Sequence, residues 1–304
     1  MGDYLFFKDA VRYREVAKEI PKRDFYRHFS QITGNVYLRK DLAADPHKVA
    51  LALFKRYPNG VLRGFAALSC RGYDLPEENW RPIISIPSAA SAASAQSGKG
   101  VILRRKTPAE VQIISGRTLV TDIQAIVDIV SMPETYGNAQ RSFEDHVALL
   151  DFLLRQNPEI WQGIKAHKKL HELAGYTSIF AESPPESVLR VRLKKAGMGD
   201  FVPQFRVEIE GKVLYLDLAD PHSFVAVEYH GGWHYSAQQR AADSTRKNLL
   251  QQAGWEVLEV SSGVLNDKKA FANLCQQIRN IRQKRLRQRK QRLPITKPLN
   301  EPES

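Results

Sequence analysis

The chain of 304 residues is 43% hydrophobic and 26% charged, the balance of a folded protein; wholesale disorder is excluded and the length suits two ordinary domains. No stretch reaches the roughly 18 uninterrupted apolar residues of a membrane helix, and the start MGDYLFFKDA lacks the basic, apolar, small order of a secretory signal; the expectation is an intracellular, cytoplasmic protein. Two cysteines, Cys70 and Cys275, lie far apart and outside any C-x-x-C pair, which argues against thiolate zinc and against a disulfide framework. The net charge of +12 is uneven: residues 279–304 hold nine Lys/Arg against two acids, more than half of the excess. Such a block is either a solvated tail or a phosphate-binding arm whose affinity falls with salt.

Residues 1–30 mix aromatic and charged side chains without a period and read only as helical. From Asp45 to Tyr57 the spacing of Val49, Ala50, Leu53 and Phe54 predicts an amphipathic helix, stopped by Pro58-Asn59-Gly60. A helical stretch follows at Gly64–Cys70. The segments 81–87 (RPIISIP) and 101–106 (VILRRK) read as partner strands, joined by the small-residue stretch SAASAASAQSGKG, a flexible loop. Strand-like VQIIS (111–115) precedes a helix predicted over Thr118–Val130, with Leu119, Ile123, Ile126, Val127 and Val130 on one face. Helices are predicted from Ser142 to Asn157-Pro158 and over Trp161–Leu173. The first domain, α+β in content, then spans 1–181.

The second domain (182–285) opens on Ser183-Pro184-Pro185-Glu186, with a cap serine and proline at the first helical position. Its helix runs to Gly197. Three strands, 203–210, 213–219 and 224–230, form a meander, then come a polar helix from about Ser236 to Ala253, the strand 255–261 and a helix from Lys268. This order is that of an α/β domain with a mixed central sheet flanked by helices. Residues 286–304 form a basic C-terminal tail.

Alternation in FVAVEYH puts Glu228 and His230 on one face of their strand, and in VLYLDLA it puts Asp217 with Val213 and Tyr215, opposite Leu214, Leu216 and Leu218. If the two strands pair, Asp217 approaches Glu228. Two carboxylates with a backbone carbonyl such as that of Tyr229 offer the hard oxygens Mg²⁺ (or Mn²⁺) prefers, and such a cation lowers the pKa of an attacking water. The plainer reading of Asp217 is an edge acid facing water. Glu186 fits a capping box, in which it bonds back to the cap residue's N–H, and equally a metal site. His230 and His234 are candidate proton-transfer groups or incidental. Trp233, in the glycine-flanked GGWHY loop, either stacks on bases or packs in the core. Arg246 and Lys247 face a scissile phosphate, or Lys247 merely pairs with Asp243 four residues earlier. Arg282, Arg285, Arg287 and Arg289 are the basic residues expected on DNA.

The order Glu186, Asp217, Glu228-Tyr229-His230, His234, Asp243, Arg246 and Gly254-Trp255-Glu256-Val257-Leu258, with HGGWHY and A-G-W-E-V-L its most specific parts, resembles the Vsr-like (very-short-patch-repair-like) endonuclease domains of the PD-(D/E)XK superfamily over about 100 residues. The resemblance implies a restriction-endonuclease-like fold, Asp217 and Glu228 as metal ligands, Glu186 as an accessory acid and His234 as a base near the attacking water. His230 stands where the superfamily carries lysine. From about Tyr37 to Phe180, GNVYLRKDL, GFAALSCRGYDLP and GRTLVTDIQAIVDI resemble bacterial AbiEi-type antitoxins and transcriptional regulators, without a clear N-terminal winged helix. The leading expectation is a metal-dependent DNA endonuclease or nickase. The alternative is a non-catalytic DNA-binding regulator that keeps the nuclease fold. A protein partner or a homo-oligomer is open in either case.

Overall fold

A computed structural model of the chain describes residues 7–75, 80–86, 101–104, 110–132, 136, 141–231 and 237–292. Its contacts divide the chain into two compact units, Met1–His146 with Gln156–Gly175, and Val147–Arg155 with Tyr176–Ser304. Among the described residues no helix is long and apolar enough to cross a membrane.

In the first unit the described part of the N-terminal region is helical in part, as expected. Short helices α1 (Tyr13–Val16) and α2 (Lys22–His28) lead into an antiparallel hairpin of β1 (Phe29–Thr33) and β2 (Val36–Arg39). Val16, Ile20, Phe25 and Phe29 bury together, and the Phe25 and Phe29 rings stack at 4.6 Å, so aromatic packing rather than helical periodicity organises this segment. Helix α3 (Pro46–Arg56) starts where expected because the Asp45 carboxylate accepts from the His47 and Lys48 N–H groups. Next come β3 (Val61–Arg63), α4 (Gly64–Cys70), β4 (Ile83–Ile86), β5 (Val101–Arg104), β6 (Val111–Ile114) and β7 (Arg117–Val120), in a sheet of order β5-β4-β3-β7-β6. The small-residue stretch between β4 and β5 lies outside the described residues.

The helix expected over Thr118–Val130 begins later. Ser115 (φ 49°) and Gly116 (φ 73°) turn the chain back as β7, and Leu119 enters the ladder opposite Leu62. Helix α5 (Asp122–Ser131) starts after Thr121, whose hydroxyl accepts from the Gln124 N–H. A buried pair, Arg63 on β3 with Asp128 on α5, ties sheet to helix at 2.5 and 2.7 Å. Helix α6 (Phe143–Gln156) runs as predicted. The single helix expected over Trp161–Leu173 is two, α7 (Trp161–Ala166) and α8 (His171–Ala174), because His167 takes an extended conformation and the next turn brings Leu170 into full burial.

The second unit holds residues 147–155 of α6, then α9 (Pro184–Lys195), β8 (Val202–Ile209), β9 (Lys212–Asp220), β10 (Val225–His230), α10 (Ala237–Gln252), β11 (Glu256–Ser261), α11 (Ser262–Asn266) and α12 (Lys268–Arg292). The sheet has the order β11-β10-β9-β8, antiparallel except that β10 and β11 run parallel across the α10 crossover. Successive residues of β10 feed two cores. Val225 and Val227 pack with Leu189 and Leu193 of α9 and Leu274 and Ile278 of α12, whereas Ala226 packs with Leu250 of α10 and Trp255. The α12 helix continues through 286–292, into the stretch expected as a basic tail; residues 293–304 lie outside the described residues.

Two features of α12 and α6 hold the unit together. Arg282 donates to Asp220 at the end of β9, a residue with no solvent exposure, and pairs with Asp200. Arg190 of α9 reaches the equally buried Asp151 at 2.5 Å and also donates to the Tyr176 carbonyl. Burial pushes the Asp151 carboxyl up, against the pull of Arg190. Charges this deep persist only when paired.

Candidate active site

Strict alternation along β9 fails at one residue. Leu214 and Leu216 belong to the core with Leu250 and Trp255, but Leu218 belongs to the other core, opposite Val227. The expected grouping of Leu214, Leu216 and Leu218 on one face is therefore wrong, and the break falls at Asp217. Its neighbour across β8 is Gln204, flanked by the regular pairs Pro203↔Leu218 and Phe205↔Leu216 and held at φ 47°. A non-glycine residue there is strained, and such strain concentrates at functional positions.

The break frees the Asp217 carboxylate to cross to β10, where it accepts a hydrogen bond from the Tyr229 N–H at 2.9 Å. Asp217 and Glu228 come together as expected, in the lining of an open cleft of about 190 Å³ lined also by Tyr229, His230, Asp243, Arg246 and Lys247. Burial raises the Asp217 carboxyl to about 6; the Tyr229 N–H opposes the rise, and the charges of Glu186 and Glu228 add to it. An acid lifted in this way by desolvation and like charge beside a cleft is a functional-site signature.

Helix α10 supplies the cations. The Arg246 guanidinium holds both oxygens of Glu228 at 2.8 Å and donates to the Tyr215 carbonyl. Glu228 stands directly across from Glu259 on β11, and Lys247 pairs with Glu259 at 3.0 Å. Lys247 thus finds its carboxylate on the sheet and not at Asp243. Glu259 and Gln204 were absent from the residues expected at the site. Glu259 carried the same signal as Asp217, an acid interrupting an apolar strand; the positive φ of Gln204 has no such signal.

Glu186 is both a cap residue and a neighbour of the site. It accepts from the Ser183 hydroxyl at 2.7 Å and from the Glu182 N–H at 3.0 Å, so the bond back goes one residue earlier than in the expected capping box. The Gln204 side chain donates to it at 3.1 Å, and its charge is felt by Asp217. His230 ends β10, exposed, and lines the cleft. Trp233 and His234 lie outside the described residues. Of the arginines expected on DNA, Arg282 is bound to Asp200 and Asp220, and Arg285 donates to the Gly254 carbonyl and to Glu256, so both guanidiniums are engaged within the protein. Arg287 is exposed on α12; Arg289 is in the same helix.

Among the described residues no group of three or more His, Cys, Asp or Glu side chains forms a ready metal cage. The chemistry present, two adjacent carboxylates with one of them short of compensating charge, fits a hard cation that keeps most of its water and takes one or two protein oxygens, as Mg²⁺ does.

No family model matches the chain, and no curated protein does. A solved structure, the catalytic domain of the homing endonuclease I-Bth0305I, is similar to part of it at 20% identity, over 34% of this chain and 96% of that one, with a TM-score of 0.27.

Proposed function

We propose that the second unit is a divalent-metal-dependent DNA endonuclease or nickase, and that the first unit and the exposed basic residues of α12 help to hold the substrate. The observation that carries this reading is Asp217, a half-buried acid freed by a break in its strand, set beside Glu228 in a cleft that also presents Arg246 and Lys247. Asp217, Glu228 and the Tyr229 carbonyl would hold Mg²⁺ or Mn²⁺. When bound, such an ion activates water and offsets charge on a phosphoryl oxygen.

The protein's own groups do the rest. The Tyr229 N–H fixes the direction of the Asp217 carboxylate. Arg246 orients a phosphodiester in the cleft, His230 stands at its rim to carry a proton, and Glu186 raises the negative potential behind Asp217. By the resemblance to Vsr-like domains, His234 takes the base role.

A second reading, a DNA-binding regulator that keeps a nuclease fold without its chemistry, has two points in its favour: both oxygens of Glu228 are already held by Arg246, and by the resemblance histidine stands in the lysine place. Nicking of supercoiled plasmid in Mg²⁺ and Mn²⁺ separates the two. Cleavage by the wild type that is lost in folded Asp217→Ala and Glu228→Ala supports the nuclease; metal-indifferent DNA binding without cleavage supports the regulator.

A further inference from the structure

We propose that Arg246 is a resident counter-ion of Glu228 that a divalent cation displaces, and that the displaced guanidinium, still tethered to β9, then receives the phosphodiester. The inference rests on the metal-dependent reading above and names how the site passes from its metal-free to its loaded state.

Three observations support it. The first is the fork: two guanidinium nitrogens occupy both oxygens of Glu228 at 2.8 Å, the oxygens a hard cation needs. The second is exposure. The two structural arginine pairs are closed, with Arg63 and Asp128 at 10% and 4% and Arg190 and Asp151 at 10% and 1%, whereas the Arg246 side chain is 32% exposed and opens on the cleft. Moving it into the cleft therefore costs far less than breaking a sealed pair. The third is the tether. One guanidinium nitrogen also donates to the Tyr215 carbonyl, a group on β9 that a cation at Glu228 leaves in place.

The charge balance gives the exchange its direction. Asp217, Glu228, Asp243 and Glu259 line the cleft against Arg246 and Lys247, and Lys247 is spent on Glu259. A divalent ion at Asp217 and Glu228 brings the greater charge to the deeper carboxylate, and its repulsion on a guanidinium at Glu228 turns the fork outward, where its planar donors match a phosphate. Arg246 is in this sense a positioning residue before loading and a substrate contact after it.

Mn²⁺ binding to the full chain, read from the electron paramagnetic resonance of the free ion with DNA absent, tests this in wild type, Arg246→Gln, Arg246→Lys and Lys247→Gln. Removal of the competing fork should tighten Mn²⁺ binding by about tenfold in Arg246→Gln and by a smaller factor in Arg246→Lys, with Lys247→Gln within about twofold of wild type. At saturating Mn²⁺, Arg246→Gln should bind a phosphorothioate duplex about tenfold more weakly than wild type. If Arg246→Gln does not fold, Arg246→Lys carries the same test. Equal or weaker Mn²⁺ binding by the Arg246 variants, a Lys247→Gln effect of the same size, or unchanged duplex affinity overturns the exchange and leaves the metal-dependent reading standing. Absence of Mn²⁺ binding in every form overturns both.

Discussion

The Asp217 carboxylate accepts a backbone hydrogen bond from Tyr229 on the neighbouring strand at 2.9 Å, while Glu186 and Glu228 press their charge upon it. Burial, more than either neighbour, raises its carboxyl from 3.8 to about 6. The folded state therefore favours the protonated form. The stabilisation that results is complete below pH 3.8 and is lost as pH rises through 6. In metal-free protein, Asp217→Asn should gain about 1–3 kcal/mol over wild type at pH 7.5, and the gain should vanish near pH 4. Thermal melts across that range measure it; a gain independent of pH would contradict the assignment.

Glu186 contributes to that raised value through charge, not through contact with Asp217. Glu186→Gln keeps groups able to serve Ser183 and Glu182 but removes the charge. The titration midpoint of the Asp217 carboxyl carbon, followed by NMR, should fall below 6 in this variant, while stability at pH 4 changes by less than about 1 kcal/mol. An unmoved midpoint would make Glu186 a cap and nothing more.

Arg282 and Arg287 should behave oppositely on DNA. Arg282 is bound to Asp200 and to the fully buried Asp220, so Arg282→Ala should cost about 3–5 kcal/mol in urea denaturation and leave the salt dependence of DNA affinity unchanged. Arg287 is exposed, so Arg287→Gln should leave stability within about 0.5 kcal/mol and lower the slope of log affinity against log salt by about 1. A slope change in Arg282→Ala equal to that in Arg287→Gln would count against this division.

The Asp151–Arg190 pair fastens α6 to α9 within the second unit. Arg190→Met should destabilise by about 3–5 kcal/mol because it strands a buried carboxylate, and Asp151→Leu with Arg190→Met should recover most of the loss. Urea denaturation of the two single variants and the double variant closes the cycle. An additive double variant would mean that the two residues do not act as a pair.

Much of the architecture was legible in local chemistry. The alternating runs at 203–210, 213–219 and 224–230, the Ser183 cap and the Gly254 stop give the meander, α9 and the end of α10, because period and capping are local properties. Where apolar side chains satisfied both periods, as in Thr118-Leu119-Val120, the hairpin with β6 and the ladder partner Leu62 decided for strand, and no local pattern contains a partner such as Leu62, 57 positions away in the chain. The same limit explains the N-terminal region, where ring packing among Phe25, Phe29 and Tyr37 replaces any periodic signal.

For the site, residue type alone singled out Asp217, Glu228, Arg246 and Lys247, since acids that interrupt apolar strands and cations on the following helix are chemically conspicuous. Tertiary structure alone decided how they are used. The break in alternation at Asp217, the strained Gln204 beside it, the fork of Arg246 on Glu228 and the recruitment of Arg282 into the protein's own ion pairs all depend on which strands and helices meet. A charge has its meaning from what lies within a few ångströms of it, and that distance is a property of the folded chain.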